Sequence, residues 1–234
     1  MRDKRKDVEY FSAVIDRDRK RIEKFEARLQ NGTVFPNQVP SVMRAIYQIK
    51  LGIWLARYSM GDPINELVPL YREMVLDFLA DFLPDWYTDS LWLLSIGVLL
   101  EIDEDIYKSL ANAVKSSGRE DWLYDFLIQS RFHGENCVSD QLLFQKPYLA
   151  LRHVVEKSED KQTDMYRYLT NTWYQAHKDA GWYDSHKKGF DINTSIYYGY
   201  WSFESGAVAK IIKLDDTELK DAPYYPYDLV HYKD

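Results

Sequence analysis

Apolar residues recur along this chain at spacings of three and four, the mark of amphipathic helices, and no convincing pair of alternating strands appears. Val8, Phe11, Ile15, Ile22, Phe25 and Leu29 form one stripe on a long first helix. Asp18 interrupts that stripe where a core residue is expected, and Asn31-Gly32 marks the stop. Pro40 opens a second helix through Met43, Ile46, Tyr47, Ile49, Ile53 and Trp54 to Gly61. Asp62-Pro63 starts a third pattern. An interior proline costs about 3 kcal/mol, so Pro69 is expected to divide a short first turn from a helix over 69–83 that Pro84 ends.

Asp89 reads as the cap of an almost wholly apolar helix, Leu91 to Leu100, which predicts the buried centre of the molecule. Asp103 starts Ile106 to Val114, closed by Ser116-Ser117-Gly118. Another helix spans Glu120 to Phe132, and 133–146 reads as loop. Pro147 opens 148–157, and Asp160 or Thr163 opens a longer helix through Met165, Tyr168, Leu169, Trp173 and Ala176 to Gly181. The polar stretch 182–195 predicts a surface excursion, and Ile196 to Ile212 a helix, with an extended start over 197–201 as the lesser alternative. Two prolines forbid continuous helix over Pro223 to Val230. Eight or nine helices predict an all-α fold: two packed helical halves, 1–117 and 118–234, forming one compact multi-helix bundle.

Charge changes this picture more than composition does. Hydrophobic residues are 46% and charged residues 29% of 234, an ordinary soluble globular balance. The net charge of −7 is uneven: residues 1–30 carry +3, 31–61 another +3, 62–140 carry −11, and 141–234 carry −2. An acidic middle repels nucleic acid and attracts a basic partner. The carboxylates expected to present that charge are Asp81, Asp85, Asp89, Glu101, Asp103, Glu104, Asp105, Glu120, Asp121 and Asp125. The lone Cys137 excludes an internal disulfide and a multi-cysteine zinc site. The start, MRDKRKDVEY, lacks the apolar run of a secretory signal, and no apolar stretch reaches the roughly 20 residues of a membrane span, so a cytoplasmic protein is expected.

Catalytic constellations are missing. There is no phosphate-cradling P-loop, no dinucleotide glycine fingerprint, no H-E-x-x-H helix and no G-x-S-x-G elbow. His177 and His186 flank Asp179 and Asp184, but Gly181 breaks the helix between them, so the spacing fixes no metal geometry. His133 and Cys137 would pair as base and nucleophile only within a helix. Pro84 interrupts the alignment of Asp81, Asp85 and Asp89 needed for acid–base work or a divalent ion. Asn31-Gly32-Thr33 and Asn193-Thr194-Ser195 match glycosylation acceptors, which a chain without export has no use for. No catalytic residue, metal site or cofactor is therefore assigned. The aromatic load, with 19 tyrosines and 7 tryptophans, suits helix packing first and recognition of a partner second; exposed tyrosines would serve a homodimer equally well.

Two C-terminal motifs carry a family likeness. They are Tyr198-Gly199-Tyr200-Trp201-Ser202-Phe203-Glu204, followed by small residues and Val208-Ala209-Lys210, and Pro223-Tyr224-Tyr225-Pro226-Tyr227-Asp228-Leu229-Val230. They resemble the C-terminal domain of the PoNi family, immunity proteins against PoNe-type DNase toxins. The long charged first helix and the Trp92-to-Leu100 core helix are similar to that family's N-terminal domain. The resemblance implies an all-helical, non-catalytic cytoplasmic protein. It would bind and neutralise a cognate toxin, made by the same bacterium and delivered between cells by contact-dependent or type VI-like secretion. A basic DNase would then be the partner of the acidic middle. Gly199 reads as a site of close backbone approach, Glu204 as a carboxylate that needs a partner if buried, and the motif aromatics as fold-determining. The competing readings are a metal-dependent hydrolase on a helical bundle, whose inward histidines and carboxylates the pattern does not place, and a helical protein-interaction scaffold.

Overall fold

Asp7 ends an irregular N-terminus because its carboxylate accepts from the Tyr10 amide at 2.8 Å, and from there α1 runs Val8–Gln30. This computed structural model describes residues 1–81, 86–132, 138–188 and 191–233. It divides into two compact units: the first holds 1–82 and 184–200, the second 83–183 and 201–234. No strand occurs among the described residues, and the fold is all-α. None of their helices is long and apolar enough to cross a membrane.

In the first unit α1 packs on α2 (Val39–Met60), and α2 on α3 (Ile64–Ala80). Phe11, Val14 and Ile15 of α1 are fully or nearly buried, whereas Ile22, Phe25 and Leu29 cover a smaller cluster of Val34, Val42 and Ile46. The Arg2 and Asp3 amides donate to the Ser59 carbonyl at 3.0 Å, which ties the N-terminus to the end of α2. Contrary to the expected break, α3 continues through Pro69. The proline removes one N–H, aimed at a carbonyl in the helix's first turn. Burial of Leu67, Tyr71, Met74, Val75 and Phe78 outweighs that loss. Pro84 lies outside the described residues, and α3 ends at Ala80.

The second unit is built around α4 (Tyr87–Leu99), on which Leu91, Leu93, Leu94, Ile96 and Leu99 are all fully buried. It has no polar face because α5 (Glu104–Ser116), α6 (Trp122–Gln129), α10 (Phe203–Ile211) and α11 (Tyr227–Val230) all pack on it. Since α4 begins at Tyr87, Asp89 stands in its first turn rather than capping it. Between α6 and α10 run α7 (Gln145–Glu156), α8 (Lys161–Arg167), a π-helical segment over Tyr168–Trp173, and the single turn α9 (Tyr174–Ala176). Asp160 caps α8 by accepting from the Thr163 amide at 3.1 Å.

Two further expectations are corrected. The stretch 184–200 is part of the first unit's packing, with Ser185, Ser195 and Tyr197 buried, because the carbonyls of Ile192 and Ser195 satisfy Arg17 of α1. Helix begins again only at Phe203, and 196–202 is irregular.

Candidate functional site

The acidic residues proposed from charge density have different fates. Glu101, Asp103, Glu104 and Asp105 are exposed together at the turn between α4 and α5. Asp103 is the N-cap residue of α5, and Glu104 and Asp105 fill its first turn, where the positive end of the helix dipole offsets their mutual repulsion. Glu101 has a left-handed backbone with φ 47°, held by its own amide on the Val98 carbonyl and by the Ile102 amide on Gly97, both at 3.1 Å. Glycine is the usual residue at such a helix stop, and a side chain there costs about 1 kcal/mol or more. The Glu101 carboxylate reaches Lys210 at 3.0 Å and Lys233 at 4.0 Å.

The remaining candidates are spread out. Glu120 is exposed beside the Ser139 hydroxyl, and Asp125 is half-buried, accepting from the Ser139 amide at 2.9 Å. Asp89 is half-buried, and Asp81 belongs to the first unit, where it pairs with Arg44. Asp85 lies outside the described residues. Asp121 is only 1% exposed and its carboxylate is consumed internally. It accepts from the Leu123, Tyr124 and Leu143 amides at 3.0, 3.1 and 2.9 Å, and from the Tyr87 hydroxyl at 3.3 Å. Burial pushes its pKa up, against these bonds, which pull it down. It is the cap of α6 and offers nothing to a partner.

The C-terminal motif residues split between the units. In the first, the Tyr198 hydroxyl donates to the fully buried Asp18 carboxylate at 2.7 Å, and Arg17 grips the same carboxylate with two N–H groups at 2.9 and 2.8 Å. The residue that broke the apolar stripe of α1 is thus the hub joining α1 to the motif. Gly52 of α2 makes room for the Tyr198 ring: a Cβ there would stand 2.7 Å from Cζ. Gly199 adopts φ 106°, a backbone open chiefly to glycine. The Tyr200 hydroxyl meets His186 Nδ1 at 2.9 Å, and burial lowers the His186 pKa.

In the second unit Glu204 is fully buried in the first turn of α10. Its Oε1 accepts from Trp173 Nε1 at 2.6 Å, Ser202 Oγ at 2.7 Å and the Tyr168 hydroxyl at 3.1 Å. Two of those donors come from the π-helical segment, whose wider turn aims both rings at one oxygen. Oε2 has no hydrogen-bond partner among the described residues, and burial raises the Glu204 pKa. Phe203 stands edge-on to Trp92 of α4, and Tyr224 stacks on Tyr174 with ring centroids 5.3 Å apart. Trp201 is also buried. Tyr225 donates to the buried Asp216 at 2.7 Å, which also faces His231 Nε2 at 2.9 Å. Pro226 lies against Gly206, Tyr227 against His231 at 4.3 Å, and Pro223 precedes them half-buried. Asp228 is exposed in the first turn of α11.

His177 and His186 fall in different units, each bonded within its own, and the pair His133 and Cys137 lies outside the described residues. No group of three histidine, cysteine or acidic side chains among the described residues is placed to hold a metal ion. The interrupted apolar runs at Asp18 and Glu204 signalled buried carboxylates in the sequence. Nothing there signalled their partners, which lie from 31 to 180 positions away except for nearby Ser202, Arg17 and Arg21.

Over residues 2–112 the chain matches the family described as PoNe immunity protein (PoNi), N-terminal, and over 119–229 the one described as PoNe immunity proteins (PoNi), C-terminal. The chain belongs to the PoNe immunity protein family. Both motifs on which the likeness was first read fall within or at the end of the C-terminal match. Comparison with curated protein sequences returns no match. Among solved structures, protein PA2201 from Pseudomonas aeruginosa is similar at a TM-score of 0.74 and 20% identity, covering 99% of this chain and 90% of that one. At that identity the likeness establishes a shared fold. In this PoNe immunity family member most of the motif residues are packed, and the carboxylates of the α4–α5 turn are exposed.

Proposed function

We propose that this chain acts in the cytoplasm as a non-catalytic inhibitor that binds and neutralises a cognate bacterial DNase toxin, with Glu101, Asp103, Glu104 and Asp105 as the centre of the contact. The observation that carries this reading is the cluster of four exposed carboxylates within five residues, one of them held in a backbone conformation that glycine fits better. A nuclease must present a basic cleft to hold phosphates, and a fixed anionic turn is complementary to it. Membership of an immunity family supports the binding role, and the DNase identity of the partner and its type VI-like delivery are part of the proposal.

The test is the quadruple variant Glu101→Gln, Asp103→Asn, Glu104→Gln, Asp105→Asn, all at exposed positions and so compatible with folding. With a PoNe-type toxin as partner, the association rate should fall about tenfold at low ionic strength and lose most of its salt dependence, and the variant should no longer protect growth on co-expression. An unchanged rate with unchanged salt dependence would assign the contact to another surface.

A further inference from the structure

The first unit carries a cleft of opposite sign to the surface just described. It opens beside the middle of α1, with a volume of about 500 Å³, and Arg17, Lys20, Arg21 and Lys24 line it against the turn at Ile192 and Asn193. The four cations lie on one face of α1, and Arg17 with Arg21, like Lys20 with Lys24, are like-charge pairs four residues apart. Such pairs destabilise a helix by about 0.2–0.5 kcal/mol each.

The protein relieves only part of this repulsion. Asp18, beneath the cleft, is bonded to both arginines, and Arg17 spends its remaining N–H groups on the Ile192 and Ser195 carbonyls and the Tyr198 hydroxyl. Asp16, the carboxylate in the lining, is exposed and lies 3.9 Å from Arg19. Asp191, which precedes the lining residue Ile192 in sequence, accepts from the Asn193 amide and side chain, both at 2.9 Å. Lys20 and Lys24 have no ion pair or hydrogen bond among the described residues, and both are exposed. Two buried or committed charges thus cancel underneath while the ammonium groups and half of Arg21 remain directed at solvent.

We propose that this cleft docks a carboxylate-rich segment of a protein partner, at a site separate from the acidic turn of the second unit and independent of it. Charge complementarity selects the chemistry of the occupant. The exposure of the rim suits a segment lying across α1 rather than an enclosed small molecule, which would be buried over most of its surface. The net charge of −7 opposes a long polyanion such as nucleic acid more than a short acidic segment, which carries less charge into that field.

The experiment titrates the full chain into a fluorescent hexaglutamate peptide at about 50 mM salt, where surface charges are weakly screened. The peptide should bind, and Lys20→Gln with Lys24→Gln should weaken it about tenfold. The variant Lys157→Gln with Lys178→Gln, of equal charge change on exposed residues of the second unit, should alter it less than about twofold. Retained melting temperature in each variant keeps a folding defect from imitating the result. Absence of binding, or equal losses in the two variants, overturns the proposal. So does displacement of the peptide by tripolyphosphate or a short single-stranded oligonucleotide at lower concentration than by unlabelled peptide, which would make the cleft a phosphate site. Neutralising Glu101, Asp103, Glu104 and Asp105 should leave peptide binding intact, so failure here and failure of the toxin-binding reading are separately visible.

Discussion

Glu204 concentrates the chemistry of the second unit in one side chain. One oxygen accepts three bonds, the other has no partner among the described residues, and burial raises the pKa. The folded state therefore holds a proton at pH values where the unfolded chain has lost it. Stability is then full below the ordinary carboxylate range and falls as pH rises towards the raised folded value. Glu204→Gln should flatten that part of the curve in urea unfolding measured from about pH 4 to about pH 8. Asp121, shifted in the same direction, supplies a residual slope of the same sign. A slope unchanged by the substitution would mean that Glu204 is ionised in its buried site. Glu101 makes the opposite case. Replacement by glycine relieves the left-handed backbone by about 1 kcal/mol and loses an exposed ion pair of at most similar size, so Glu101→Gly should change stability by less than about 1 kcal/mol. Toxin affinity, measured by titration, should nevertheless fall. A stability loss above about 2 kcal/mol would make the side chain structural.

At the scale of elements, close approach matters more than helix propensity. Gly206 on α10 faces the tail, and a Cβ there would stand 2.6 Å from Pro226 Cγ and 3.2 Å from Val230 Cγ2. The proline ring cannot swing aside as a flexible chain end would, so Gly206→Ala should cost about 1–3 kcal/mol in denaturant unfolding. Gly181→Ala, where a Cβ would meet nothing within 4 Å, should stay within about 0.5 kcal/mol. Equal effects at the two sites would show that backbone entropy, not contact with α11, governs Gly206. Two helix starts were legible because capping is local: Asp103 and Asp160 stand at N-caps as expected, whereas Asp62 and Asp89 do not. The continuity of α3 through Pro69 and the irregular path of 196–202 were not legible, because buried side chains and distant hydrogen bonds decide them.

Across the whole molecule, charge is sorted by region: the first 61 residues carry a net +6 and the remainder −13. An exposed carboxylate turn belongs to the second unit and a lysine-lined cleft to the first. Association through either is therefore expected to weaken as salt shortens the reach of the field. The all-helical fold, the core role of α4 and the family likeness were readable from order along the chain, since helical periodicity and short motifs are local properties. Which carboxylates face solvent was not readable, because composition counts Asp121 and Glu104 alike. Tertiary packing turned the first into a buried cap and left the second on the surface, and it alone joined Asp18 to Tyr198 and Glu204 to Trp173. A buried charge must find donors wherever the fold brings them, and that search runs through space rather than along the sequence.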